Sequence, residues 1–260
     1  MIIPMQTINY KLCILAAGKG TRNTTYQHLH KALLPLGNRA AISHILDIVP
    51  HSLPVVIAVG YEQEQLKAYI NYVYPSRNVQ FVNIENYDSP GSGPGRSLFE
   101  CREYLQCPFI FLGADTLLDP AEKDITPHAN WVGVGNCTAW SHETSSYCLY
   151  DEGLGFHYSS TSNPDNCFIG VAGIRDYEEF WENLSDPVLI NGEHQVINGL
   201  NKLDNIETLS FTSWQDTGNN ASYEHAKQKY VNIVEPKPDE ILYIDSGKVL
   251  KYFDDVDKVL

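Results

Sequence analysis

Basic residues are scarce in this chain: 18 Lys and Arg stand against 32 Asp and Glu in 260 residues, a formal net charge of -14. That balance argues against nucleic acid or an anionic membrane as a partner, because both are held by clustered cations. A small anionic substrate would need a local basic pocket. Long apolar runs are missing too, and nothing approaches the roughly 20 residues that a membrane helix requires. Met1 to Tyr10 lacks the basic, apolar, small-residue order of a secretory signal, so a cytoplasmic protein is expected. The six cysteines include no CxxC pair, which predicts reduced core thiols rather than disulfides or a zinc site. No repeat of fixed period and no low-complexity stretch occurs, which excludes solenoids and biased tails.

What is present is alternation. Leu12 to Ala16 and the β-branched run Val55 to Val59 read as buried strands, and between them Ala41, Ile42, Ile45, Leu46 and Val49 recur at helical spacing. Leu66 and Ile70 mark a second helix, Val79 to Ile84 a strand, Arg96 to Leu105 a helix, and Pro108 to Leu112 a strand that ends at Gly113-Ala114-Asp115. This order predicts parallel strands joined by crossover helices. After about Trp131 the texture changes to short strands, at Trp131 to Val134, Tyr147 to Tyr150, Gly155 to Ser159 and Phe168 to Ile174. Helices are expected at Tyr177 to Leu184, His194 to Leu203 and Asn220 to Tyr230, a strand at Glu207 to Trp214, and a terminal hairpin from Ile241 to Phe253. No linker stands out, so a single α/β domain is expected, with residues of about 10–130 as one half and 131–260 as the other.

Leu15-Ala16-Ala17-Gly18-Lys19-Gly20-Thr21-Arg22 follows the first strand. Glycines allow close backbone approach and free N–H groups bind anions, so this loop can cradle phosphates; it can equally be an ordinary strand-to-helix turn. It lacks the leading glycine of a Walker A loop, and Asn23 stands where a dinucleotide fingerprint needs its third glycine. Arg22 and Lys31 add two cations that suit triphosphate oxygens and a leaving pyrophosphate. Asp115 sits at the carboxyl end of its strand, where open α/β sheets place ligands, and Asp216 follows a second strand-like run. Two such carboxylates can hold Mg²⁺, while a turn cap for Asp115 and a helix cap for Asp216 are the simpler readings. Tyr147 and Trp214 are candidate aromatic walls for an acceptor or else core residues, and Glu193 is a candidate acceptor ligand or a helix-start carboxylate.

Taken in order, L-A-A-G-K-G-T-R, H-K-A-L-L-P-L, G-A-D and W-Q-D-T-G resemble the sugar-phosphate and phosphocholine-type nucleotidyltransferase superfamily, from about Leu12 to Tyr230. The resemblance implies a three-layer Rossmann-like nucleotidyltransferase fold with a mostly parallel mixed sheet. It implies a nucleotide site at Leu15, Ala16, Ala17, Gly18, Gly20, Thr21, Arg22 and Lys31, with Ser92 and Gly93 in the base-recognition loop. It further implies catalytic roles for Arg22, Lys31, Asp115 and Asp216, with Mg²⁺ on the two aspartates. The partners implied are an NTP and a small phosphorylated acceptor. Where many sugar-1-phosphate members carry Glu-Lys-Pro, this chain has Ser159-Ser160-Thr161-Ser162-Asn163-Pro164. That departure, with Ser92-Gly93-Pro94-Gly95 and the strand at Phe168 to Ile174, is more similar to cytidylyltransferases that use CTP to activate small phosphorylated amines and amides, as in capsule phosphoramidate synthesis. A sugar-1-phosphate uridylyl- or thymidylyltransferase is the rival within the superfamily. A catalytically silent nucleotide-binding regulator is the rival outside it. Oligomeric state is left open by the sequence.

Overall fold

The computed structural model describes residues 9–24, 26, 28–137, 148–157 and 166–230, and the backbone of 242–245 and 248–252. In chain order the first elements are β1 (Lys11–Ala16), β2 (Pro35–Leu36), β3 (Arg39–Ala40), α1 (Ala41–Leu46), β4 (Val55–Val59), α2 (Gln63–Val73), β5 (Val79–Asn83) and α3 (Pro94–Glu100). Then follow β6 (Phe109–Gly113), β7 (Thr116–Leu117), β8 (Trp131–Gly135), β9 (Leu149–Asp151), β10 (Gly155–His157), β11 (Cys167–Ile174), α4 (Tyr177–Ser185) and α5 (Ile197–Leu200). The last are β12 (Glu207–Ser210), β13 (Gln215–Asp216), α6 (Asn220–Tyr230), β14 (Leu242–Asp245) and β15 (Lys248–Tyr252).

One mixed sheet organises the chain. Four strands, β6-β1-β4-β5, run parallel with β5 at the sheet edge, and β11 pairs antiparallel with β6 to carry the sheet on to β9 and β10. β8 also pairs with β11, and β12 runs parallel beside β8. β1, β4 and β6 are apolar at nearly every position because both of their faces are covered, as parallel crossovers require, whereas β5 at the edge exposes Gln80 and Asn83. Leu12, Ile14 and Ala16 of β1, with Val55, Ile57, Ile110 and Leu112, pack on one face with Ile42, Ile45, Leu66, Ile70 and Tyr223 of α1, α2 and α6. Cys13 and Leu15, with Val56, Phe109 and Phe111, pack on the other with Leu98, Phe180, Leu184 and Leu200 of α3, α4 and α5. The result is the expected three-layer α/β fold. Among the described residues no helix is long and apolar enough to cross a membrane.

The structure departs from the sequence reading at four places. The helix expected from Arg96 to Leu105 stops at Glu100 and resumes as a 3₁₀ turn at Arg102–Tyr104. The helix expected from His194 keeps only Ile197–Leu200, because His194 is drawn into backbone pairing: its N–H donates to Ser92 O and its carbonyl accepts from Gly95 N. The strand expected from Glu207 to Trp214 ends at Ser210 as β12, and a separate two-residue strand, β13, follows it at Gln215–Asp216. Finally, Cys137 and Cys167 form a disulfide, against the expectation of six reduced thiols. The β8–β11 ladder sets Cys167 opposite Gly135, which brings together two cysteines 30 residues apart that no spacing motif links. Cys13, Cys101, Cys107 and Cys148 are thiols outside this disulfide. The terminal hairpin forms as expected, by pairing of β14 with β15.

Helix-sheet and strand-loop contacts here are close enough for glycine to matter. A Cβ on Gly135 of β8 would stand 2.2 Å from Trp214 Nε1, whereas one on Gly153 would meet nothing within 4 Å. Gly135→Ala is therefore expected to cost about 1–3 kcal/mol by overpacking, and Gly153→Ala to stay within about 0.5 kcal/mol of the parent. Chemical denaturation of the two variants beside the parent checks this pair, and equal midpoints would mean that the Trp214 ring is not packed on β8.

Candidate active site

The parallel centre of the sheet delivers β1, β4 and β6 to one edge by their carboxyl ends, and the candidate residues gather there. β1 ends in side chains that are buried: Leu15, Ala16 and Ala17 are at most 8 % exposed, so they shape the strand end and offer a ligand only backbone. The chain then surfaces at Gly18, Lys19, Thr21 and Arg22. Gly18 has no atom within 4 Å of where a Cβ would sit, which leaves its backbone open to close approach. Gly20 adopts φ +64, and a Cβ there would press on Lys31 Cβ and Cδ at 3.3 Å. The glycine thus allows both the left-handed turn and the approach of Lys31.

Lys31 opens a 3₁₀ turn, Lys31–Leu33, that is capped by His30. The His30 ring is fully buried and both of its nitrogens are bonded: Nε2 lies 2.9 Å from Ala16 O, and Nδ1 accepts from Ala32 N at 3.1 Å. That pair of partners fixes a neutral ring with its proton on Nε2. Burial pushes the His30 pKa down to about 4, against a smaller upward pull from the Ala16 carbonyl and with Lys31 adding to the fall. The ring therefore ties the end of β1 to the base of Lys31. From α2, Gln65 accepts from His30 N at 3.0 Å and donates to His28 O at 2.9 Å, which holds the same turn from outside.

Asp115 follows β6, and Lys31 Nζ donates to its Oδ2 at 3.1 Å. Burial works to raise the Asp115 pKa, but Lys31 and then Arg22 outweigh it and hold the carboxyl below its ordinary value. Asp216 lies on β13, whose ladder with β7 pairs Asp216 with Thr116 and Gln215 with Leu117. Thr217 N then donates to Asp115 O at 2.9 Å, and Gly218 N to Asp216 Oδ1 at 2.8 Å. Asp216 is not the helix cap, since Asn219 Oδ1 takes Ser222 N at the start of α6. The clearest sign of convergence is Gly218. A Cβ there would lie 3.0 Å from Asp216 Oδ1, 3.4 Å from Asp115 Oδ2 and 3.4 Å from Arg22 Nη2. The structure thus brings together Arg22, Lys31, Asp115 and Asp216 from four separate stretches of the chain. Beside them opens a cavity of about 360 Å³ lined by Lys19, Gly20, Thr21, Tyr26, Lys31 and Tyr61 among others.

Ser92 and Gly93 lie in the loop that leads into α3. Gly93 has φ +133, and a Cβ there would stand 2.6 Å from His194 O and 3.1 Å from Glu193 Cβ. Gly91 N donates to Gly192 O and His194 N to Ser92 O, so the Glu193 turn lies along the Ser92-Gly93 loop and supports it. Glu193 is exposed and accepts from Gln195 Nε2 at 2.7 Å. The same loop is tied to the glycine turn through Lys19, which is ion-paired with Asp88. Trp214 is a correction: it is 3 % exposed and its ring packs on Gly135, so it belongs to the core and not to an acceptor wall. Tyr147 and the Ser159 to Pro164 stretch lie outside the described residues.

Sequence reading missed Lys19, although it lies inside the quoted motif, and gave His30 no role although it precedes Lys31. No group of three or more His, Cys, Asp or Glu arranged for a metal occurs among the described residues. A pair of carboxylates with a cation-lined pocket is nevertheless a fitting donor set for Mg²⁺, which binds few protein oxygens and takes the rest from phosphates and water.

The buried His30 gives a pH prediction. Its folded pKa lies below the unfolded value near 6.5, so the unfolded chain takes up the proton first. The stability it supports is complete above about 6.5 and is lost as pH falls toward 4. His30→Asn should therefore show a smaller loss of denaturation midpoint between pH 7 and pH 4.5 than the parent. An identical loss in both proteins would mean that His30 is not the group responsible.

Comparison with solved structures shows the fold. A UDP-glucose pyrophosphorylase complexed with UDP-glucose superposes with a TM-score of 0.69 at 19% identity, over 85% of this chain and 98% of that one. The inositol-1-phosphate CTP transferase from T. maritima superposes with a TM-score of 0.61 at 14% identity, over 88% of this chain and 98% of that one. No curated protein matches in sequence. Residues 12–122, the span that contains the glycine loop, Arg22, Lys31, Ser92, Gly93 and Asp115, match the MobA-like NTP transferase domain family.

Proposed function

We propose that the protein is a Mg²⁺-dependent nucleotidyltransferase, which moves CMP from CTP to a small phosphorylated acceptor of the phosphoglutamine or phosphocholine kind and releases pyrophosphate. One observation carries this reading: Asp115, Asp216 and Arg22 converge around Gly218, with Lys31 bonded to Asp115, at the carboxyl ends of parallel strands beside a glycine loop. The match of residues 12–122 to the MobA-like NTP transferase domain supports the class of reaction. Likeness to an inositol-1-phosphate CTP transferase, and the absence of Glu-Lys-Pro before β11, support the choice of CTP. Likeness to a UDP-glucose pyrophosphorylase favours the rival, a sugar-1-phosphate uridylyl- or thymidylyltransferase.

In this reaction an acceptor phosphate oxygen attacks the α-phosphorus, the new P–O bond forms in line with the one that breaks, and the electron pair leaves with pyrophosphate. A phosphate is already ionised near neutral pH, so the chain needs no general base. Its task is to bring two anions together. Like unit charges 4 Å apart cost about 4 kcal/mol at an effective dielectric near 20. Arg22 and Lys31 offset that repulsion at the triphosphate, and Gly18 and Gly20 let backbone N–H groups reach it. Asp115 and Asp216 would hold Mg²⁺, which when bound neutralises and orients phosphate oxygens. In this reading Ser92 and Gly93, buttressed by the Glu193 turn, receive the base, and Glu193 meets the acceptor.

Asp115→Asn and Asp216→Asn should each lower pyrophosphate release by about a thousandfold or more while the circular dichroism spectrum stays that of the parent. Full activity in either variant removes that residue from the metal site. A matrix of four NTPs against phosphocholine, phosphoglutamine and hexose 1-phosphates identifies the substrates. Release only with a hexose phosphate would replace the preferred reading by its rival.

A further inference from the structure

The placement of Asp216 rests on a short piece of structure. β13 and β7 pair through only two residues each, and a ladder of that length is marginal alone. Just before β13, between the end of β12 and Trp214, the chain is gripped by one side chain from ninety residues away. Glu122 Oε1 accepts from Thr212 N at 2.6 Å and from Thr212 Oγ1 at 2.7 Å. Glu122 Oε2 accepts from Ser213 N at 3.2 Å and from the Ser213 hydroxyl. Both carboxylate oxygens are thus engaged twice, each by one backbone and one hydroxyl donor. Burial would raise the Glu122 pKa, but the Ser213 hydroxyl and the Thr212 and Ser213 N–H groups hold it down to about 2.

Position along the chain gives this cluster its meaning. Glu122 follows Leu117, the last residue of β7, after a short loop, and Ser213 lies just before Trp214 and β13, which carries Asp216. The carboxylate therefore closes a small ring: β7, the loop to Glu122, its four bonds to Thr212 and Ser213, Trp214, and β13 back onto β7. Inside that ring a slip of β13 along β7 would have to break charge-assisted bonds, which are about twice as strong as neutral ones. A slip by one residue would also turn the Asp216 side chain to the opposite side of the strand. Lys229 of α6 donates to Ser213 O and holds the same segment from the other side.

We propose that Glu122 is a positioning residue that fixes the register of β13 and so aims the Asp216 carboxylate at Asp115. The role rests on the functional reading above, because its consequence for catalysis is metal affinity. Replacement by Gln keeps the size but offers one acceptor oxygen, and its amide N–H₂ faces Ser213 N–H or Thr212 N–H, which cannot reverse. Groups that orient a metal's ligands are worth about 10–100-fold in metal affinity or activity when removed.

The test compares the parent with Glu122→Gln in two measurements. Amide hydrogen exchange over residues 215–218, where Thr217 N–H is bonded to Asp115 O, should speed up about tenfold or more, with β1 and β4 unchanged. In steady-state pyrophosphate release, the Mg²⁺ concentration for half-maximal rate should rise about 10–100-fold, with KM for CTP at saturating Mg²⁺ changed by less than about threefold. Unchanged exchange at 215–218, or an unchanged Mg²⁺ requirement in an active variant, overturns the proposal. If Glu122→Gln does not fold, Ser213→Ala removes a single hydroxyl donor and should shift both readings the same way by a severalfold smaller amount; no shift overturns the proposal equally. A parent that releases no pyrophosphate with any NTP and acceptor sinks the enzymatic reading instead, and the exchange measurement still decides whether Glu122 sets the register.

Discussion

The site depends on one contact: the antiparallel pairing of β13 with β7, which lays Asp216 alongside the residues that follow Asp115. Thr217 N donates to Asp115 O across a separation of 102 residues, and the ladder fixes which side chains face the glycine loop. Two carboxylates so placed repel each other. Lys31 and Arg22 supply the balancing charge, and the fall in the Asp115 pKa despite burial records that they prevail. Gly218 completes the arrangement, since its missing side chain is the space into which both carboxylates and the Arg22 guanidinium project.

Around that contact the fold behaves as a set of supports for loops. The parallel strands β1, β4 and β6, buried on both faces, form a stiff base because every side chain is held by neighbours from two layers. His30 transmits the position of β1 to Lys31 through a buried bond to Ala16 O. The Ser92-Gly93 loop is fixed by backbone pairing with the 192–194 turn, and Lys19 joins it to the glycine loop through Asp88. In each case the residue that offers chemistry is held by a second group that offers none.

The electrostatic character of the chain also makes sense at this scale. A net charge of -14 repels phosphates in general, and Lys19 and Lys31 in the cavity lining, with Arg22 near Asp115 and Asp216, make this edge of the sheet a local exception. Fold alone would not select a substrate, because sugar-phosphate and inositol-phosphate enzymes share this architecture with little sequence identity. The loops around Ser92 and Glu193 are set by glycines at positive φ, Gly91, Gly93 and Gly192, and by backbone bonds between them.

Local sequence is enough to give the strands β1, β4 and β6, the glycine loop with Arg22, and the position of Asp115 at the carboxyl end of β6. These follow from apolar periodicity and local turn chemistry, which are written in neighbouring residues. Asp216 stands out in the sequence, but only the tertiary structure separates a site carboxylate from a helix cap, because Asn219 caps α6 instead. Tertiary structure alone decided that Trp214 is core, that Cys137 meets Cys167, that His194 is drawn out of a helix into loop pairing, and that Glu122 holds the approach to β13. All four depend on which strands become neighbours in the sheet. Periodicity reports which face of a segment is buried, but the partner across that face is chosen by sheet order and loop closure over 30 to 100 residues, and no local pattern encodes it.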